Sequence, residues 1–165
     1  MNFLWKLAAP VAVVLAVNAS SPALAQEAIN SEPWAFSVNE GLNRPVCNLQ
    51  VRGFTTNGDL GPLLELQWND GAGVITVTFD NIDGDVMTIY NAAGSAFMRL
   101  VLASIDGVEA DQAQFVPDFP IVEVFTAAKQ IAFAEQDRPT APYAFINIPQ
   151  PFNALEDWAR CIKTF

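Results

Sequence analysis

The chain has no histidine and only two cysteines. Without imidazole, the Ser-His and Cys-His relays that usually activate a nucleophile cannot be assembled. A zinc site would lack both its commonest nitrogen ligand and enough thiolates to close a tetrahedron. The serines offer no substitute, because neither Ser-x-x-Lys nor Gly-x-Ser-x-Gly occurs. Basic residues are scarce too: eight Lys and Arg stand against eighteen Asp and Glu, a net charge of −10. Phosphate backbones and anionic headgroups are held by Lys and Arg, so this balance argues against nucleic acid and lipid surfaces as partners and leaves cations, basic proteins and neutral ligands. There is no repeat of fixed period, no low-complexity tract and no linker long enough to divide the chain.

Long apolar runs are missing except at the start. Residues 1–6 form a short positive segment, residues 7–17 an apolar run interrupted by Pro10, and residues 18–25 a polar stretch ending in Ala23-Leu24-Ala25. This is the layout of a secretory signal peptide cut between Ala25 and Gln26. The run falls well short of the ~20 residues that a spanning helix needs, and no cysteine follows it to carry a lipid. Residues 1–25 are therefore read as a cleaved leader, 26–33 as a flexible lead-in and 34–165 as one globular domain without a membrane span. Removing Lys6 with the leader leaves seven basic against eighteen acidic side chains, a net of −11. The expected location is periplasmic or secreted.

In an exported chain two cysteines favour a disulfide over a catalytic thiol or a metal site. Cys47 and Cys161 lie near the two ends of the mature domain, 114 positions apart. In the chain-entropy description a loop of that size contributes roughly 4–5 kcal/mol.

Periodicity supplies the elements. Trp34, Phe36 and Val38 alternate with polar or small neighbours, as do Cys47, Leu49 and Val51, then Leu64, Leu66 and Trp68. Residues 55–62 read as a loop, and Asn69-Asp70-Gly71 as a turn. Residues 74–79 and 86–90 flank an acidic turn at 80–85 and predict a hairpin. Residues 97–105 form the longest strand candidate, and Asp106-Gly107 signals a second hairpin into 108–115. Asp118 is the expected cap of a short helix, with Pro120 in its first turn and Ile121, Val122, Phe125 and Ala128 on its buried side. Residues 130–134 return to strand, 136–142 form a Pro-punctuated turn and 143–148 a last strand. A closing amphipathic helix carries Phe152, Leu155, Trp158, Ala159 and Ile162 on one side, with Asn153 and Glu156 as its capping pair and Cys161 on the flank. The sum is an α+β domain of mainly antiparallel sheet, about eight or nine short strands in hairpins and meander, with a short helix and an amphipathic C-terminal helix.

The order of Trp34-Ala35-Phe36-Ser37-Val38, Cys47, Phe125-Thr126-Ala127-Ala128 and the terminal run Phe152-Asn153-Ala154-Leu155-Glu156-Asp157-Trp158-Ala159-Arg160-Cys161 resembles the invasion-associated locus B family of small exported alpha-proteobacterial proteins. Pro149-Gln150-Pro151 stands where that pattern carries glycine before the last helix. The resemblance implies a periplasmic or outer-surface protein tied by one disulfide, with envelope or host-contact roles and no established catalytic centre. It carries over no residues beyond Cys47 and Cys161.

Five constellations invite chemistry. Asp80, Asp83 and Asp85 with Asn81 offer hard oxygen ligands on a Gly-containing turn, as calcium prefers, although their spacing is not that of an EF-hand and turns collect Asp for local hydrogen-bonding reasons. Pairs among eighteen carboxylates could divide acid and base roles in a hydrolase. Trp34, Trp68 and Trp158 could line a ligand pocket, or simply fill the core. Arg52, Arg99 and Arg160 could gather around an anion, and Arg138-Pro139-Thr140-Ala141-Pro142 form either a recognition loop or a rigid turn. The expectation is a non-catalytic exported domain that binds a protein or another cell-envelope component, with no cofactor implied. The alternatives are a small-ligand carrier, which needs an apolar cavity, and a carboxylate hydrolase, which needs a converging acidic pair in a cleft.

Overall fold

Strict alternation of apolar and polar residues makes the central strands. Cys47, Leu49 and Val51 are buried while Asn48 and Gln50 between them are not, so each strand offers one face to a common core. In the computed structural model, which describes residues 33–39, 45–69, 71–104 and 111–164, the strands are β1 (Ala35–Asn39), β2 (Val46–Thr55), β3 (Leu60–Asn69), β4 (Ala72–Thr78), β5 (Val86–Asn91), β6 (Ala96–Val101), β7 (Gln112–Phe115), β8 (Ala128–Ala134) and β9 (Ala144–Asn147). Two helices accompany them, α1 (Ile121–Ala127) and α2 (Asn153–Ile162). The protein is α+β, as expected, with all strand pairs antiparallel.

The sheet runs β6-β5-β8-β9-β2-β3-β4-β7. One edge of β2 is shared: β1 pairs with Val46 to Gln50, and β9 takes over at Phe54 and Thr55. The handover coincides with a register shift between Arg52 and Phe54. Gly53 sits there because a Cβ would stand 2.5 Å from the Phe145 carbonyl oxygen and 2.8 Å from Ile146 Cγ1; only a bare Cα lets β9 close in.

The sheet curls until its end strands approach, and an isolated antiparallel bridge, Ser104 to Ala113, joins the extension of β6 to β7. Leu49, Leu64, Leu66, Ile75, Met87, Ile131 and Phe133 fill the interior and are fully buried. On the outward face Ala132 and Phe145 form a smaller cluster with Tyr90. No helix among the described residues is long and apolar enough to cross a membrane.

Several expectations need correction. The strands at 74–79 and 86–90 exist but form no hairpin, because β4 pairs with β3 and β7 whereas β5 pairs with β6 and β8. Residues 80–85 instead cross the seam of the curled sheet. Gly84 N–H donates to the Leu102 carbonyl (2.7 Å), Leu102 N–H to that of Asp85 (2.8 Å), and Phe79 N–H to that of Asp111 (2.8 Å), while Ile82 is buried as an anchor. The loop expected at 55–62 shrinks to a turn, since Gly61 and Pro62 already belong to β3. β6 is six residues long, so the longest strands are β2 and β3, of ten residues each. The Asp106-Gly107 turn lies outside the described residues, and the hairpin expected around it is represented by the one Ser104 to Ala113 bridge. In β1, Phe36 is half-buried and Val38 is exposed.

Asp118 does not cap α1: Pro120 occupies the N-cap, without a side-chain hydrogen bond, and Ala128, buried as expected, is both the C-cap of the helix and the first residue of β8. Nor does Asn153 cap α2, since it is already helical. The N-cap is Phe152, whose carbonyl accepts from the Leu155 and Glu156 N–H groups and whose ring is buried. Apolar anchoring at this terminus replaces the side-chain cap. The stripe on α2 forms in part: Leu155 and Trp158 are buried as expected, Cys161 is buried with them rather than left on the flank, and Ala159 and Ile162 are only half-buried.

Candidate functional site: a groove between the helices

The foundation of the site is the disulfide. Cys47 and Cys161 are bonded with a Cα–Cα distance of 6.1 Å, within the ordinary range, so α2 is fastened to the first half of β2. Cys47 was expected on the inward face of its strand and is fully buried there. Trp158, one turn before Cys161, donates its indole N–H to the Cys47 carbonyl at 3.1 Å. Across the sheet Cys47 is registered with Trp68, and the Trp68 ring meets that of Trp158 edge to face at 6.4 Å and 88°, a favoured aromatic geometry.

On this floor stands an open groove of about 580 Å³. One wall is the outer part of α2, Ala159, Ile162 and Lys163; the other is the segment entering α1, Val116 to Val122; the β3–β4 turn closes one end. Gly73, paired with Trp68, permits the second wall: a Cβ there would lie 2.8 Å from Ile121 Cδ1. Pro117 and Pro120 lack backbone N–H groups, so this segment cannot extend the sheet as another paired strand. Val116 is consequently left 69 % exposed at the rim. Ionisable side chains along the groove are confined to Glu123 and Lys163. Such a surface removes apolar area from water on binding and gives little polar specification.

A second hollow, about 690 Å³, lies between Trp34, Phe36, Asn147, Phe152 and Asp157. Its aromatics are already engaged: Trp34 donates to the Asn147 carbonyl at 3.0 Å and stacks edge-on against Phe152 and Phe125 at 4.7 and 6.2 Å. Trp34, Trp68 and Trp158 thus all pack against or within the core; half-buried Trp68 forms the groove floor, with the fully buried Trp158 beneath it.

The acidic turn does not gather as a cation site. Asp83 Oδ1 accepts from Ser104 N–H at 2.7 Å, and Asp85 Oδ2 accepts from the Tyr143 hydroxyl at 2.6 Å. Asp80 is exposed. Among the described residues no group of three or more Asp, Glu, Cys or His stands close enough to hold a metal. Burial raises the Asp85 carboxyl above its usual range, against the lowering effect of the Tyr143 hydrogen bond and with a smaller push from Glu135. Burial, followed by that same bond to Asp85, pushes the Tyr143 phenol well above its ordinary value. The Tyr143 ring stacks on Phe79 at 5.6 Å, so this cluster braces the seam at the end of β4.

Arg52 donates to the Gly61 carbonyl at 3.3 Å, Arg160 pairs with Asp157 at 3.1 Å, and Arg99 lies on β6; the three belong to β2, α2 and β6 and form no common cluster. Arg138 pairs with Glu135 and lies near Asp137 in its turn. Ala25 and Gln26 lie outside the described residues. Sequence reasoning missed Val116, Pro117 and Phe119 as site residues, although the string Val116-Pro117-Asp118-Phe119-Pro120 carried a signal: apolar side chains held between two prolines. Compared with protein-family models, curated proteins and solved structures, the chain matches none.

Proposed function

We propose that this chain is an exported, disulfide-tied binding domain whose groove between α1 and α2 takes up an apolar segment of a protein or another cell-envelope component. The leader pattern ending at Ala25, the bonded cysteine pair and the likeness to the invasion-associated locus B pattern support export to the periplasm or beyond. The groove carries the reading: a Trp-floored apolar surface, open to solvent, whose rim residue Val116 is 69 % exposed. Apolar recesses floored by aromatics are where binding energy concentrates in protein interfaces. The large apolar side chains buried inside the sheet, Leu49, Leu66, Met87 and Phe133 among them, favour a partner bound at the surface over a ligand enclosed within.

The test is capture from envelope extract by the oxidised mature domain, beside an Ala159→Trp variant that fills the groove from the half-buried side of α2 lining it. The proposal expects a defined partner held by the native domain and lost by the variant, with both melting alike. Equal capture by the two, or none by the native domain, would reject it.

A further inference from the structure

Among the described residues the curled sheet does not close. Its end strands meet at a single bridge, Ser104 to Ala113. Continuing that antiparallel register would set Val101 opposite Val116, but the strands part, leaving these side chains 61 % and 69 % exposed. β6 keeps β5 as its one partner among the described strands, so among the described residues no strand meets the N–H and C=O groups of its other edge. Natural edges are usually blunted by proline, charged side chains, bulges or shortness, and on β6 the one charged side chain is Arg99. β7, with four residues, is short; β6 has six residues, no proline and an inward side of Met98 and Leu100 packed on the core.

The outward side of β6 is patterned. Phe97 is 40 % exposed, and Arg99 lies between it and Val101, exposed and next to Thr88 of β5. Arg99 makes no ion pair among the described residues, in a chain where acidic side chains outnumber basic ones eighteen to eight. We infer that the open edge of β6 accepts an extended segment of another protein as an added antiparallel strand, with a carboxylate opposite Arg99 and apolar side chains two residues to either side. The backbone of such a segment would meet about six hydrogen-bonding groups along β6, and its side chains would complete the cross-strand pairs that Phe97, Arg99 and Val101 lack on that side. A second copy fits poorly, because centred β6 to β6 pairing would place Arg99 against itself. The inference stands apart from the groove, since Phe97, Arg99 and Val101 lie outside its lining.

The experiment titrates the oxidised mature domain with a short synthetic peptide alternating valine and threonine around a central glutamate, and with its lysine-centred counterpart, following amide exchange by NMR. Slowed exchange within β6 and about tenfold tighter binding of the glutamate peptide, ~1.4 kcal/mol, are expected. Arg99→Glu, at an exposed site that leaves folding intact by its melting curve, should invert the preference, while Ala159→Trp should leave it unchanged. Equal affinity for the two peptides, unaltered β6 exchange, or protection of β6 by self-association alone would overturn the proposal.

Discussion

Replacing both cysteines with alanine removes the one covalent tie between the first half of β2 and α2. The sulfurs bridge positions 114 apart, so the unfolded chain regains roughly 4–5 kcal/mol of conformational freedom. Cys47 is fully buried and Cys161 9 % exposed; alanine avoids leaving a buried hydroxyl unsatisfied, though it adds a small packing loss. Against a total stability of about 5–15 kcal/mol, this is a large share. At about 3–4 °C per kcal/mol for a domain of this size, the melting temperature should fall by roughly 12–20 °C. Calorimetry of the native and double-alanine mature domains measures it, with urea midpoints as a second probe. Because the bond is shielded, reductant should act slowly in native buffer and quickly in urea. A melting temperature within about 3 °C of native, or immediate reduction without denaturant, would refute the reasoning.

Trp158→Ala should cost about 3–5 kcal/mol through the cavity it leaves and the lost hydrogen bond to Cys47, read as a lower urea midpoint. Gly53→Ala should destabilise by about 1–3 kcal/mol, because the obstacle to a Cβ is the Phe145 backbone rather than a movable side chain; hydrogen exchange should localise the damage to β9. Asp85 supplies a pH dependence of known sign. Its carboxyl is raised on folding, chiefly by burial, so the folded state holds the proton more tightly than the unfolded one. Its contribution to stability is therefore fully present below the unfolded carboxylate pKa of about 3.9 and is lost as pH rises through the raised folded value. Asp85→Asn keeps an acceptor for Tyr143 and should flatten that part of the pH–stability curve, whereas Tyr143→Phe removes a bond that lowers this pKa and should shift the loss to higher pH. Urea midpoints measured across the acid range distinguish the two.

What could be read from residue order follows physical locality. The alternation around Cys47, Leu49 and Val51 and the apolar stripe of α2 depend on each segment burying one face; the first appears as expected and the second in part. The turn at 80–85 misled because a strand's partner is chosen by the whole sheet: β4 and β5 each find two neighbours elsewhere, and the curl makes a six-residue crossing sufficient. Asn153 misled because capping preferences are worth about 1 kcal/mol, less than burying Phe152 at the start of α2, and Asp118 misled because α1 begins only at Ile121, after Pro120. The disulfide was legible from export logic alone. The groove was legible only on one side: the prolines flag residues 116–120, but the opposite wall depends on where α2 settles against Trp68, a long-range contact.

Central to the proposed function is the groove as the face that meets a partner. A photoactivatable side chain placed in the oxidised domain at Phe119, and separately at exposed Thr56 away from the groove, tests this by crosslinking in envelope extract. The prediction is one defined adduct from position 119, absent from position 56 and abolished by Ala159→Trp. Adducts of equal yield from both positions, or an adduct at 119 that persists when the groove is filled, would contradict it.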